Sequence, residues 1–232
     1  MRKALYLVFA FGIISGALAV SGKNSYELKR QPKVGDSLKY HVDAEFKLDD
    51  RSAKMSLDQT ETVAKVESDG SFEIETKASD GKFVVDGHEQ EMPSDAGTRG
   101  VYNAFGTLLT IPEASDPVLY RKAYMIEFIA PDHSVHVGDN WQQEFKADSP
   151  QGVPAKSTYK VEVIEKVNGI NAAKVHFSYT ELEGTAPITS EGDTWVNTND
   201  GSVVKLEASF KNFPMGASGV PVQGTFSMKR SG

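Results

Sequence analysis

Residues 37 to 48 alternate without interruption: Leu38, Tyr40, Val42, Ala44, Phe46 and Leu48 on one parity, Lys39, His41, Asp43, Glu45 and Lys47 on the other. A period of two held over this length specifies a long antiparallel strand with one buried and one solvated face. A slip of one residue would turn the whole apolar row to water, so the pattern fixes register as well as strand type. The block that opens this strand returns later: Val34-Gly35-Asp36-Ser37-Leu38 is matched by Val137-Gly138-Asp139-Asn140-Trp141. There Trp141, Phe145 and Ala147 face one way, against Gln142, Glu144 and Lys146.

Further echoes follow at similar spacing. Ala53-Lys54 is matched by Ala155-Lys156, Val63–Val66 by Ile164–Val167, and Phe72-Glu73-Ile74 by Val175-His176-Phe177. The pattern predicts an all-β, antiparallel chain in which a meander unit of about a hundred residues is used twice. The units span 20–91 and 132–232 and together form a curved sheet, a half-barrel or a sandwich. In the first unit Met55, Leu57 and Val63 continue the inward row, which Gln59 and Glu61 interrupt. Both units break phase before a turn, at Val63/Val66 and Ile164/Val167, which predicts a β-bulge in each. Ser68-Asp69-Gly70, Asn168-Gly169, Asp80-Gly81, Asp86-Gly87 and Asp200-Gly201 read as turns, giving roughly nine to eleven strands.

From Met92 to Pro131 the alternation fails, and 92–131 reads as an irregular connecting segment that can cover an apolar face of the sheet. Asp116-Pro117 suits a helix cap followed by Pro at the first helical position, with Leu119, Ala123 and Ile126 on one face. Tyr124 to Ile129 suits a buried strand equally well.

The first nineteen residues have the form of a signal peptide: Arg2 and Lys3, an apolar run from Ala4, and Ala17-Leu18-Ala19 as a cleavage pattern. Cleavage after Ala19 is expected, giving a soluble periplasmic or secreted protein with no later membrane span. With no cysteine, the chain offers neither a lipidation site nor disulfides, so its core must stand unaided. The leader holds two of the 25 basic residues and none of the 32 acidic ones, so the remainder carries 23 minus 32, or −9. That charge argues against nucleic acid as a partner.

Gly35-Asp36-Ser37-Leu38 is the nucleophile block of a family of esterases, and Ser37 is the candidate nucleophile of that reading. The chemistry needs a His base, and the second copy of the block replaces Ser with Asn140. The recurring function of the block is therefore a turn into a strand. His133 and His136, with Asp132 and Asp139, are the densest set of metal-ligand types. Residues three apart on an extended chain point to opposite faces, so no metal site and no cofactor are assigned. Trp141 and Trp195 suit core packing. If the sheet and its cover enclose a ligand, Trp141, Trp195, Tyr120 and Tyr124 are the aromatics to line it.

Pro131 to Trp141 resembles the Pro-x-x-x-Val-x-Val-Gly-Asp-x-Trp strand opening of an exported bacterial family of unknown function. That resemblance brings no catalytic residues. A looser likeness of architecture is to periplasmic lipoprotein-carrier folds, unclosed β-barrels around an apolar cavity, and it implies a small apolar ligand. These expectations converge on an exported, non-enzymatic β protein that binds an apolar ligand on its curved sheet. A structural or envelope protein-interaction module is the alternative.

Overall fold

A computed structural model describes residues 24–48, 51–92, 97–112, 117–215 and 219–231. The signal segment expected over 1–19 and the helix cap expected at Asp116 both lie outside the described residues. The strands are β1 (Ser37–Leu48), β2 (Arg51–Val66), β3 (Phe72–Val85), β4 (His88–Glu91), β5 (Thr98–Tyr102) and β6 (Leu108–Thr110). After helix α1 (Pro117–Tyr124) come β7 (Asn140–Phe145), β8 (Ala155–Val167), β9 (Ile170–Glu181), β10 (Thr189–Asn197), β11 (Val203–Met215) and β12 (Val220–Arg230). All pairings are antiparallel, in one unclosed sheet of twelve strands ordered β6-β5-β3-β2-β1-β12-β11-β10-β9-β8-β7, with β4 beside β3. The fold is thus all-β and curved, with one short helix among the described residues.

The alternation in β1 sets the faces. Tyr40, Val42, Ala44 and Phe46 are buried, while the residues between them are exposed. The apolar row continues across the seam, where Val42 opposes Met228, Ala44 opposes Phe226 and Phe46 opposes Gly224. At Gly224 the neighbouring strand comes so close that a Cβ would collide with the Glu45 carbonyl, so the residue there must be Gly. Such glycine positions let a sheet bend sharply toward its apolar side.

The two Val-Gly-Asp blocks build the same turn. Gly35 (φ 89°) donates its N–H to the Val63 carbonyl at 2.9 Å, and Gly138 (φ 98°) donates to Val161 at 2.8 Å. Asp36 Oδ2 accepts the Lys33 N–H at 2.9 Å, and Asp139 Oδ2 accepts the His136 N–H at 2.8 Å. Each clamp residue is followed by a bulge, between Val63 and Lys65 and between Val161 and Val163. The second bulge therefore lies earlier than the sequence phase at Ile164/Val167 suggests, and it turns Val163 outward to 41% exposure. The clamps are 98 residues apart (161 minus 63) and the glycines 103 (138 minus 35). β7 is also half the length of β1, and Ala147 lies exposed beyond its end. The opening turn, its clamp, the bulge after it and the three-stranded meander they lead into (β1-β2-β3 and β7-β8-β9) recur, while the lengths and spacings differ beyond them. Asp80-Gly81 is likewise not a chain reversal. It sits inside β3, where the pairing with β2 shifts between Ser56 and Asp58.

β6 and β7 are consecutive in sequence yet occupy opposite edges of the sheet. The chain between them must cross the sheet's full width, and it does so over the apolar face. Tyr120, Tyr124, Met125, Ile129 and Val135 from this crossing join Phe46, Phe145, Val175 and Phe177 in one core cluster. The helix ends at Tyr124, and Met125 to Ile129 is neither helix nor strand. Once the α1 carbonyls are spent, this stretch bonds to sheet side chains instead.

Candidate functional site

The crossing segment is fastened at both ends. In α1, Arg121 donates from Nε and Nη2 to the two carboxylate oxygens of Glu181, at 2.6 and 2.7 Å. The Glu181 side chain is fully buried and also accepts the Ile188 N–H at 2.7 Å. Tyr124 donates to the Leu108 carbonyl at 2.6 Å, and Tyr120 accepts the Ile111 N–H at 2.9 Å, so helix side chains cap the β6 edge. Beyond the helix, Ser190 Oγ donates to the Met125 carbonyl, Tyr159 donates to the Glu127 carbonyl at 2.9 Å, and Trp141 Nε1 donates to the Ile129 carbonyl at 2.9 Å.

Between this cover and the sheet lies a cavity of about 240 Å³. Its walls are apolar (Tyr40, Phe72, Ile74, Phe128, Leu206 and Phe226 among them), and its polar groups are few: Arg30, Gln59, Glu61, Tyr102 and Glu127. Arg30 Nη1 is 3.6 Å from Glu61 Oε2, Gln59 donates to Glu61 Oε1 at 3.1 Å, and the Arg30 guanidinium lies 5.5 Å from the Phe72 ring centre. Burial raises the Glu61 carboxyl above the ordinary range, and Arg30 partly offsets that rise. Glu127 has no such cation. Burial pushes its carboxyl up to about 8, offset only by the Leu108 N–H, which Oε2 accepts at 3.3 Å. Burial likewise raises the Tyr102 hydroxyl. Neutral Glu127 and Tyr102 can each hydrogen-bond a ligand without a charge being moved out of water.

A larger trough, about 720 Å³, crosses the other, polar face of the sheet over β1, β12 and β11. Its walls carry charges already matched within the sheet, such as Lys54 with Glu45 and Lys82 with Glu89. The covered cavity, with an acid left unmatched, is the better candidate despite its smaller size.

The four aromatics picked from the sequence divide between the two faces. Trp141 stacks on Tyr159 (5.2 Å, 15°) and meets Phe128 edge-on, Tyr124 stacks on Phe145 at 4.6 Å, and Tyr120 is 6.4 Å from Tyr124. Tyr120 and Tyr124 are the cover's own inward side chains, and Trp141 packs beneath the cover from β7. Trp195 faces the other way, 6% exposed, under Lys205 (4.2 Å) and Lys174 (5.7 Å), with Nε1 donating to Glu165 at 2.6 Å. None of the four lines the cavity. The residues that do were missed for identifiable reasons. Gln59 and Glu61 stand in an inward row of β2, and polar residues at inward positions were the available signal. Glu127 sits in an apolar stretch, where only its isolation marked it. Arg30 had no sequence signal.

Ser37 Oγ lies 3.4 Å from Thr62 Oγ1, and no histidine bonds to Ser37 among the described residues. His133 pairs with Asp132 at 2.7 Å and His136 with Asp139 at 3.3 Å. No group of three His, Asp or Glu side chains is placed to hold a metal, and no helix is long and apolar enough to cross a membrane, among the described residues.

No protein-family model and no curated protein matches this sequence. Among solved structures, the chain is similar to lipovitellin, from a structure of its lipid–protein interactions, with a TM-score of 0.48 and 10% identity. That match covers 87% of this chain and 26% of lipovitellin, so the chain spans about a quarter of that protein's length. It is also similar to the hypothetical lipoprotein YmcC of Escherichia coli K12, with a TM-score of 0.31 and 14% identity over 84% of this chain and 89% of YmcC. Both superpositions are too loose to bear on function.

Proposed function

We propose that this chain is an exported, non-enzymatic carrier that holds one small apolar ligand between its curved sheet and the segment crossing it. One observation carries the reading: an apolar cavity under a fastened cover keeps an acid, Glu127, with no cation to match it. A protein built only for stability gains nothing from a half-buried carboxyl with no cation beside it, which costs free energy that apolar packing would not. Ligand pockets usually measure roughly 300–1,000 Å³. At about 240 Å³ this one suits a single chain or ring system rather than a two-chain lipid. Export by the 1–19 segment belongs to the same reading, since a carrier of poorly soluble molecules is useful in an aqueous envelope space.

Native mass spectrometry on protein purified from the periplasm of an expressing cell tests the proposal. The expected result is an added mass that organic extraction removes and that Phe128→Trp, which fills the cavity, abolishes. A bare apo mass, with no uptake of added single-chain amphiphiles, would sink it.

A further inference from the structure

Tyr102 and Glu127 each bring the cavity an oxygen with hydrogen-bonding capacity to spare, and Gln59 and Arg30 keep donors free beside Glu61. Tyr102 stacks on Phe72 with ring centres 5.5 Å apart, and its ring lies against Gly100, where any larger residue would meet it. Its hydroxyl makes no hydrogen bond to the protein among the described residues, yet it is not sealed off, because no buried side-chain polar atom is left without a partner. Glu127 uses Oε2 to accept the Leu108 N–H, and Oε1 takes no protein partner. Both groups line the cavity. Arg30, the one cation among the described cavity residues, faces Glu61 at 3.6 Å.

Resting on the carrier reading above, we propose that the ligand bears an uncharged oxygen head (alcohol, ester or ketone) received by the Tyr102 hydroxyl and the Glu127 carboxyl. A fatty-acid anion fits poorly. It would bring a carboxylate beside Glu61 and Glu127, and the single charge of Arg30 would have to serve two carboxylates, leaving one negative charge unmatched in a largely apolar cavity. An amine fits poorly for a related reason: binding it would require a buried ion pair with Glu127, whose two desolvations must be recovered. An uncharged oxygen accepts the O–H of either group with no net charge moved. Burial supports this, because it holds Glu127 protonated at neutral pH and therefore able to donate.

The test is a binding titration of the full chain at neutral pH with decanol, methyl decanoate, decanoate and decylamine. The alcohol and ester should bind about tenfold or more tighter than either ion, the difference one satisfied buried hydrogen bond and an avoided charge make. Tyr102→Phe removes one donor without changing the cavity walls and should weaken decanol and methyl decanoate binding about fivefold, the worth of one hydrogen bond. Glu127→Leu should weaken them similarly, and Tyr102→Phe serves alone if that variant fails to fold. Decanoate or decylamine binding as tightly as decanol, or a Tyr102→Phe protein that binds decanol as tightly as the parent, would overturn the inference while leaving the carrier reading intact. Failure of all four probes to bind would overturn the carrier reading itself.

Discussion

The crossing segment carries a carboxylate contact at each end, and the two are built on opposite principles. At the helix end Glu181 is fully buried and answered by a bidentate Arg121, the Ile188 amide and a Tyr179 hydroxyl 3.4 Å away. At the cavity end Glu127 receives one amide and no cation, and burial raises its carboxyl to about 8. A fully matched charge fixes the place of a helix; an unmatched acid leaves hydrogen-bonding capacity free for water or a ligand. On the carrier reading, the difference separates what holds the cover from what the cover is for.

The largest expected effect breaks the matched end. Arg121→Ala leaves Glu181 buried without its cation and should cost about 3–5 kcal/mol, the penalty of uncovering one member of a buried pair. Chemical denaturation would read it as a large fall in midpoint. A loss within a few tenths would show that α1 is held by its aromatics instead. Next is Trp141→Ala at the cavity end, which removes a ring stacked on Tyr159 and the donor to Ile129. Trp141 is half-buried, so about 3 kcal/mol is expected, at the low end of aromatic truncations. Trp195→Ala on the opposite face makes the control, since it should lower stability without altering ligand uptake.

Much of this molecule was legible in the sequence, and the parts that were not share a cause. Period-two alternation revealed β1 and β12, and the repeated Val-Gly-Asp disclosed two identical turns, because both are local effects of backbone geometry. The likeness of the two units weakens where nonlocal pairing decides. β1 is central, hydrogen-bonded on both sides, while β7 is an edge strand, so the same opening leads to strands of different length. The cavity was hidden for a related reason. Arg30, Glu61, Tyr102 and Glu127 come from four separate stretches, brought together only because β6 and β7 lie at opposite edges. Trp195 packs as its size suggests, 6% exposed against Ala172 and Val204, but strand parity puts that packing on the face away from the cavity.

A smaller effect tests whether Glu127 is as unmatched as its surroundings imply. Folded, it keeps its proton to about 8; unfolded, it releases it near the ordinary 4.5. Between those values the folded state binds the extra proton, so Glu127's contribution to stability is complete at the acid end and is lost as pH rises toward 8. Melting temperature should fall across that window in the parent and fall less in Glu127→Gln. Equal slopes in the two proteins would mean that water or a counter-ion already attends Glu127, and the contrast with Glu181 would shrink.

The smallest effect is the most discriminating. Tyr159 donates to the Glu127 carbonyl at 2.9 Å while its ring stays fixed against Trp141. Tyr159→Phe should therefore lose only that bond, about 1 kcal/mol. If the two ends of the cover are independent, the loss must be local: hydrogen exchange should quicken at the amides of 126–130 and stay unchanged over 117–124, where Arg121 and Glu181 hold the helix. Protection lost equally along both stretches would mean that the cover opens as one piece. The matched and unmatched carboxylates would then be two contacts of a single lid, and any ligand held at Glu127 would be released only by breaking the Arg121 pair as well.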